Sequence, residues 1–160
     1  MSNEYYILHA KDLGMTLFQI PLLVITSTLT QVVLSYYSGT LIDKLGSKIM
    51  LFISYLFGLL TILSLKSDLI WLTFIFLGIF TVVSLNALRV YIAKNAISQG
   101  FVYGVLYGGT AIFSALGALT VGQIWSRFGF SDVVLFSLMG CGIITFILFV
   151  NLLASFVKKH

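Results

Sequence analysis

Charge is scarce in this sequence, and that scarcity is the first physical constraint on it. Only 9% of the 160 residues are Asp, Glu, Lys or Arg while 59% are hydrophobic, whereas a soluble domain carries about a quarter charged residues to face water. A water-exposed globule cannot be covered with what is here. Cysteine is nearly absent as well: Cys141 stands alone, which excludes an intrachain disulfide, and its apolar neighbours mark it as a small packing residue. Histidine occurs only as His9 and His160, in the terminal segments, and the acids Glu4, Asp12, Asp43, Asp68 and Asp132 all fall at the ends of apolar runs or between them. No metal-ligand set and no nucleophile triad can be assembled from that distribution, so an enzyme is not expected, nor is a metal or other cofactor. A proton-coupling carboxylate within the membrane is missing too, and would have to come from another segment. The first residues lack the basic start of a signal peptide, and the apolar run 5–10 is too short for a signal core or a span.

What the sequence has in abundance is uninterrupted apolar chain. Charge-free stretches cover 13–42, 49–65, 69–88, 95–126 and 133–157, each long enough for a helix to cross a hydrocarbon core that needs about 17 to 25 residues. None alternates apolar and polar residues as a lipid-facing barrel strand does, and a lipid-exposed backbone must satisfy its own polar groups. The expected fold is therefore an all-α membrane protein of about five transmembrane helices: 17–42, 49–65, 69–93, 100–126 and 131–157. Residues 1–16 form an outer segment, and 158–160 a cytoplasmic tail.

The basic residues set the orientation. Threading five helices in order places Lys44, Lys48, Arg89, Lys94, Lys158 and Lys159 on one side with a single acid, Asp43, and Lys11, Lys66 and Arg127 on the other with four acids. Positive residues accumulate on the cytoplasmic side, so the C-terminus is expected inside and the N-terminus outside, in a plasma (inner) membrane. The same placement reads the net charge of +4 as a record of topology, with no nucleic-acid partner. The bilayer itself is the first partner expected.

Within the helices a few residues stand apart. Thr16 and Gln19 fit a capping box at the start of the first helix, with Met15 and Ile20 placed as a hydrophobic staple and Pro21 tolerated close to that end. Ser27, Gln31, Ser35 and Ser38 recur at helical spacing and share one face, either hydrogen-bonded to neighbouring helices or lining a hydrated transport cavity. The second helix shows no such stripe and is expected to be peripheral. The third carries Thr81, Ser84, Asn86 and Arg89 toward its inner end, where an arginine is expected to snorkel to the headgroups. In the fourth, Gly100, Gly104 and Gly108 recur every four residues, a spacing that lets two backbones approach closely. The fifth has a lipid-facing composition.

The segment 39–48 offers more than a turn. Gly39, Leu41, Asp43, Lys44, Gly46 and Lys48 resemble the signature cytoplasmic loop of the major facilitator superfamily, with Ser47 where a basic residue is frequent; the simpler reading is a polar turn with inside-positive charges. Gly46 permits a positive φ, the lysines anchor to headgroups, and Asp43 can face a helix N-terminus. Residues 8–21 also resemble the outer loop entering that family's eighth helix. Residues 86–129 resemble its tenth-to-eleventh region, including Tyr103, Gly104, Val105, Leu106, Tyr107 and Gly108 and the closing Trp125, Ser126, Arg127, Phe128 and Gly129. The resemblance implies that the five helices correspond to helices eight to twelve and that 5–10 is the stump of the seventh. It also implies a C-terminal portion of a secondary transporter whose partners are a missing N-terminal half and an unidentified small solute, the fragment being inactive alone. The acidic and basic residues often seen in the family's tenth-to-eleventh loop are here reduced to Lys94. The rival expectation is a small multi-pass scaffold protein packing through the glycine face of the fourth helix.

Overall fold

A computed structural model describes the backbone over residues 3–95 and 98–157 and the side chains over 5–95 and 98–155. Six helices follow in order: α1 (Asn3–Asp12), α2 (Gln19–Leu45), α3 (Ser47–Lys66), α4 (Ile70–Asn95), α5 (Gln99–Phe128) and α6 (Phe130–Val157). The fold is all-α, and α2 to α6 are the five helices long and apolar enough to cross a membrane. Their ends lie within three residues of the expected spans, and several helices continue into the charged islands. The expected tail at 158–160 lies outside the described residues.

The ends of the helices follow from local chemistry. Thr16 N donates to Gln19 Oε1 at 2.9 Å and Gln19 N to Thr16 Oγ1 at 3.4 Å, the reciprocal pair of a capping box. The chain between α2 and α3 is a single residue. Gly46, at φ +88°, donates its N–H to Ile42 O at 2.8 Å and breaks the helix, so the expected loop 39–48 is helix on both sides of one glycine. Asp43 and Lys44 are compatible with helix, and only the left-handed residue cannot continue it. Two helices end in the paired 6→1 and 5→2 bonds of a Schellman motif. After α1, Met15 N reaches Ala10 O at 3.2 Å and Gly14 N reaches Lys11 O at 2.9 Å; after α3, Leu69 N reaches Ser64 O at 3.0 Å and Asp68 N reaches Leu65 O at 3.2 Å.

Packing centres on α4. It lies between α2 on one side and α3 on the other, α6 covers α3, and α5 touches α6 and, more lightly, α4. The expectation that the second helix is peripheral is corrected. On α3, Ser54, Gly58, Thr61 and Leu65 are buried along one face while Leu56, Leu60 and Leu63 stay exposed. Ser54 and Thr61 donate to their own helix, to Leu51 O and Phe57 O, which satisfies the hydroxyls and leaves a narrow surface. Lipid tails are as apolar as leucine, so small residues and not large ones mark the packed face of a membrane helix. Gly58 accordingly sits under Phe80 of α4 and Cys141 of α6, where a Cβ would meet the phenyl ring at 3.2 Å.

The glycines of α5 behave differently. Nothing lies within 4 Å of a Cβ placed on Gly100, Gly104 or Gly108, and Val121 is the single buried residue of the helix. The closest glycine contact in the chain is elsewhere: a Cβ on Gly78 would lie 2.7 Å from the Ser27 carbonyl oxygen and 3.0 Å from Thr30 Cβ. That is where α2 and α4 cross. The short α1 is held by Tyr5, whose hydroxyl donates to Ala118 O of α5 at 2.7 Å. It is also held by His9, stacked on Phe130 with ring centroids 3.6 Å apart.

Candidate functional site: a polar cleft between α2 and α4

The polar stripe of α2 is divided by its packing against α4. Ser27 and Ser38 are buried: Ser27 lies under Gly78, and Ser38 Oγ accepts a hydrogen bond from Asn86 Nδ2 at 2.8 Å. These two serve as contacts between helices. Gln31 and Ser35 lie beyond the contact and line an open cleft of about 310 Å3 with Thr28, Asn86 and Arg89 and with the apolar Val32, Val82 and Leu85. Gln31 Nε2 reaches Ser27 Oγ at 3.4 Å, so one face carries both the interhelical glue and the lining. Thr81 and Ser84 do not reach this cleft; their hydroxyls donate to Leu77 O and Thr81 O of their own helix.

Arg89 lies at the side of the cleft nearer the C-terminal end of α4. Its side chain turns sideways toward α5: Nε donates to Tyr107 Oη at 3.2 Å, while Tyr103 Oη donates to the Arg89 carbonyl oxygen at 2.9 Å. The two tyrosines stand one turn apart with their rings stacked at 6.2 Å. Together they join α5 to α4 at the level of the cleft. Among the described residues the one acid–base contact is that of His9 with Asp68, so no described carboxylate neutralises Arg89. The sequence placed Arg89 at the headgroups and gave Tyr103 and Tyr107 no role, because which face of α5 meets α4 is not encoded in the spacing of either helix alone.

The signature-loop residues gather at the end of the bundle where α2 meets α3. Gly39, Leu41, Asp43, Lys44 and Lys48 are exposed. Lys48 lines a second cleft of about 420 Å3 with Gly46, Ser47, Tyr91 and Lys94, bringing two of the cations of this end to one edge. A third cavity, of about 370 Å3, lies among α3, α4, α5 and α6 beneath Tyr6, and its lining is mainly apolar. At the opposite end of the bundle His9 Nε2 donates to Asp68 Oδ1 at 3.2 Å, joining α1 to the turn between α3 and α4, a link that sequence reading missed because the partners are far apart in the chain. No three His, Cys, Asp or Glu side chains come together as a metal site among the described residues.

A bundle of five membrane-length helices, with a polar cleft opening on the side that α2 and α5 leave uncovered, defines a multi-pass integral membrane protein. The family model of the Major Facilitator Superfamily matches residues 5–160, and the chain belongs to that family of membrane transporters. No curated protein and no solved structure matches the chain.

Proposed function

We propose that the chain is the C-terminal portion of a secondary transporter that moves a small solute by alternating access, and that the cleft between α2 and α4 is this portion's share of the solute pathway. The observation that carries the proposal is the position of Gln31, Ser35, Asn86 and Arg89 on an uncovered face in a chain of this family. Transporters built from two helical repeats hold their solute near the midplane between the repeats, and polar groups there face the interior because facing lipid is costly. In this reading α1 is the outer end of the seventh helix, α2 to α6 are the eighth to twelfth, and Lys44, Lys48 and Lys94 face the cytoplasm. Gly100, Gly104 and Gly108 on α5 then pack against the N-terminal half. Asp43, exposed at the end of α2, faces a helix N-terminus of that half.

Thiol accessibility in the membrane tests the cleft. In a Cys141→Ser background, Gln31→Cys and Ser35→Cys are expected to react with a small membrane-impermeant thiol reagent. Ser27→Cys, buried under α4, and Leu60→Cys, on the lipid-facing side of α3, are expected to stay unreacted. Labelling of Gln31→Cys and Ser35→Cys no faster than of Leu60→Cys would overturn the hydrated pathway.

A further inference from the structure

The depth of Arg89 makes its surroundings informative. At 1.5 Å rise per residue its Cα lies about 9 Å from the inner end of α4 and about 10 Å from the middle of that helix, inside a hydrocarbon half-thickness of about 15 Å. A guanidinium at that depth is tolerated when it snorkels, pairs with an acid or faces a polar cavity. Here it faces the cavity. Nε is bonded to Tyr107, and the two terminal NH2 groups have no hydrogen bond among the described residues. The groups sharing the cleft are all neutral, the polar side chains of Thr28, Gln31, Ser35 and Asn86 beside the apolar Val32, Val82 and Leu85. The acids Asp12, Asp43, Asp68 and Asp132 all lie at helix ends. A permanent cation is therefore presented to this cleft with its paired donors free and no counter-ion among the described residues.

We propose that this cleft receives an anionic oxygen group, a carboxylate, sulfonate or phosphate, at Arg89. The inference deepens the transporter reading and rests on it for the identity of the cleft. The planar fork of a guanidinium matches two oxygens of such a group at once, and desolvated pairs of this kind are the stronger hydrogen bonds. Tyr107 fixes the fork by occupying Nε, and Gln31, Ser35 and Asn86 supply the neutral donors that would hold the remainder of the ligand. Because Arg89 is near the inner surface, the same chemistry could be presented by the solute or by an anionic lipid headgroup.

The test uses the whole 160-residue chain, one copy per lipid nanodisc, with 4-fluorobenzoate and its neutral amide as probes followed by fluorine NMR. In discs of phosphatidylcholine alone, the benzoate signal is expected to broaden and the amide signal to be unaffected. Arg89→Gln is expected to weaken benzoate binding at least about tenfold, the loss of one charge-assisted bidentate pair, while Arg89→Lys retains part of it. In discs that also contain phosphatidylglycerol, native mass spectrometry reads whether that lipid is held by the parent chain and lost in Arg89→Gln. Lipid retention of this kind without benzoate binding assigns the site to headgroups, and benzoate binding in the neutral discs assigns it to solute. Lys48 and Lys94 are present in both proteins, so the comparison isolates Arg89. Equal binding of benzoate and amide, or identical behaviour of parent and Arg89→Gln with both probe and lipid, overturns the proposal. None of these readings involves transport. Anion binding in a protein whose assembled halves move nothing would overturn the transporter reading alone, and transport of a neutral solute indifferent to Arg89→Gln would overturn this inference alone.

Discussion

Asp68 shows how one residue can tie a turn to two helices. Its φ of +57° is a conformation that costs an L-residue roughly 1–2 kcal/mol and that Asp and Asn tolerate better than others. The conformation closes the end of α3, and the side chain then accepts from His9, whose ring lies flat on Phe130 of α6. The Asp68 side chain is 60% exposed, so its contact with His9 contributes at most about 1 kcal/mol, and the backbone conformation dominates. Asp68→Asn is expected to unfold within a few degrees of the parent, Asp68→Gly similarly, and Asp68→Val clearly lower, because a branched side chain crowds the left-handed backbone. Thermal unfolding in detergent micelles gives the ranking. Val as stable as Asn would show that the turn is not the constraint. The capping box at Thr16 and Gln19 and the positive φ of Gly46 were legible because they act within four residues. The link from His9 to Asp68 was not, because a residue in a terminal segment meets a turn 59 positions away only after the helices have packed.

Among the elements, the close approach of α2 and α4 and the open glycine face of α5 make opposite demands on the same residue type. A methyl group on Gly78 would strike a backbone carbonyl of α2 at 2.7 Å, and a backbone cannot swing aside as a side chain can. Gly78→Ala is expected to push the two helices apart and destabilise the chain by about 1–3 kcal/mol, the usual cost of overpacking. Gly104→Ala meets open space and gains about 0.5–1 kcal/mol of helix propensity, so the chain alone is expected to tolerate it or become slightly more stable. In the proposed assembly the same alanine is expected to weaken association with the N-terminal half. Melting of the two variants, with and without a complementary half, separates the cases. A Gly78→Ala protein as stable as the parent would remove the close contact from the account. The number and length of the helices could be read from charge spacing because water and hydrocarbon differ so sharply. The packed faces could not be read from hydrophobicity, since Leu, Ile and Phe favour lipid and protein equally. The buried stripe of Ser54, Gly58, Thr61 and Leu65 on α3 was hidden among large residues, and the glycines that drew notice on α5 have no neighbour here.

The whole molecule is defined by what it covers and what it leaves open. α4 and α3 carry most of the buried residues, while Gln31 and Ser35 of α2, Arg89 near the C-terminal end of α4 and Gly100, Gly104 and Gly108 of α5 are left uncovered. Val32, Val33, Tyr36 and Phe113 on α2 and α5 are also exposed, and lipid can cover them without cost. Lipid cannot cover the amide of Gln31 or the guanidinium of Arg89 as cheaply, because each polar group left unsatisfied in hydrocarbon costs up to several kcal/mol, part of it recovered from neighbouring helices. The chain alone is therefore expected to insert, to move no solute, and to pair with a second copy of itself or succumb to proteolysis. A solute pathway closed on only one side cannot alternate its access, whereas two facing bundles can. Vesicles holding only this chain test the first part by uptake and efflux, and crosslinking as a function of dilution in lipid tests the second. Uptake by these residues alone would contradict the proposed division into halves, and so would a protease-resistant monomer at every dilution. Restoration of a single resistant species by co-expression with a six-helix N-terminal half would support it. The same experiment should protect Gln31→Cys from bulky thiol reagents while leaving it open to small ones, because a covering half encloses the cleft without filling it.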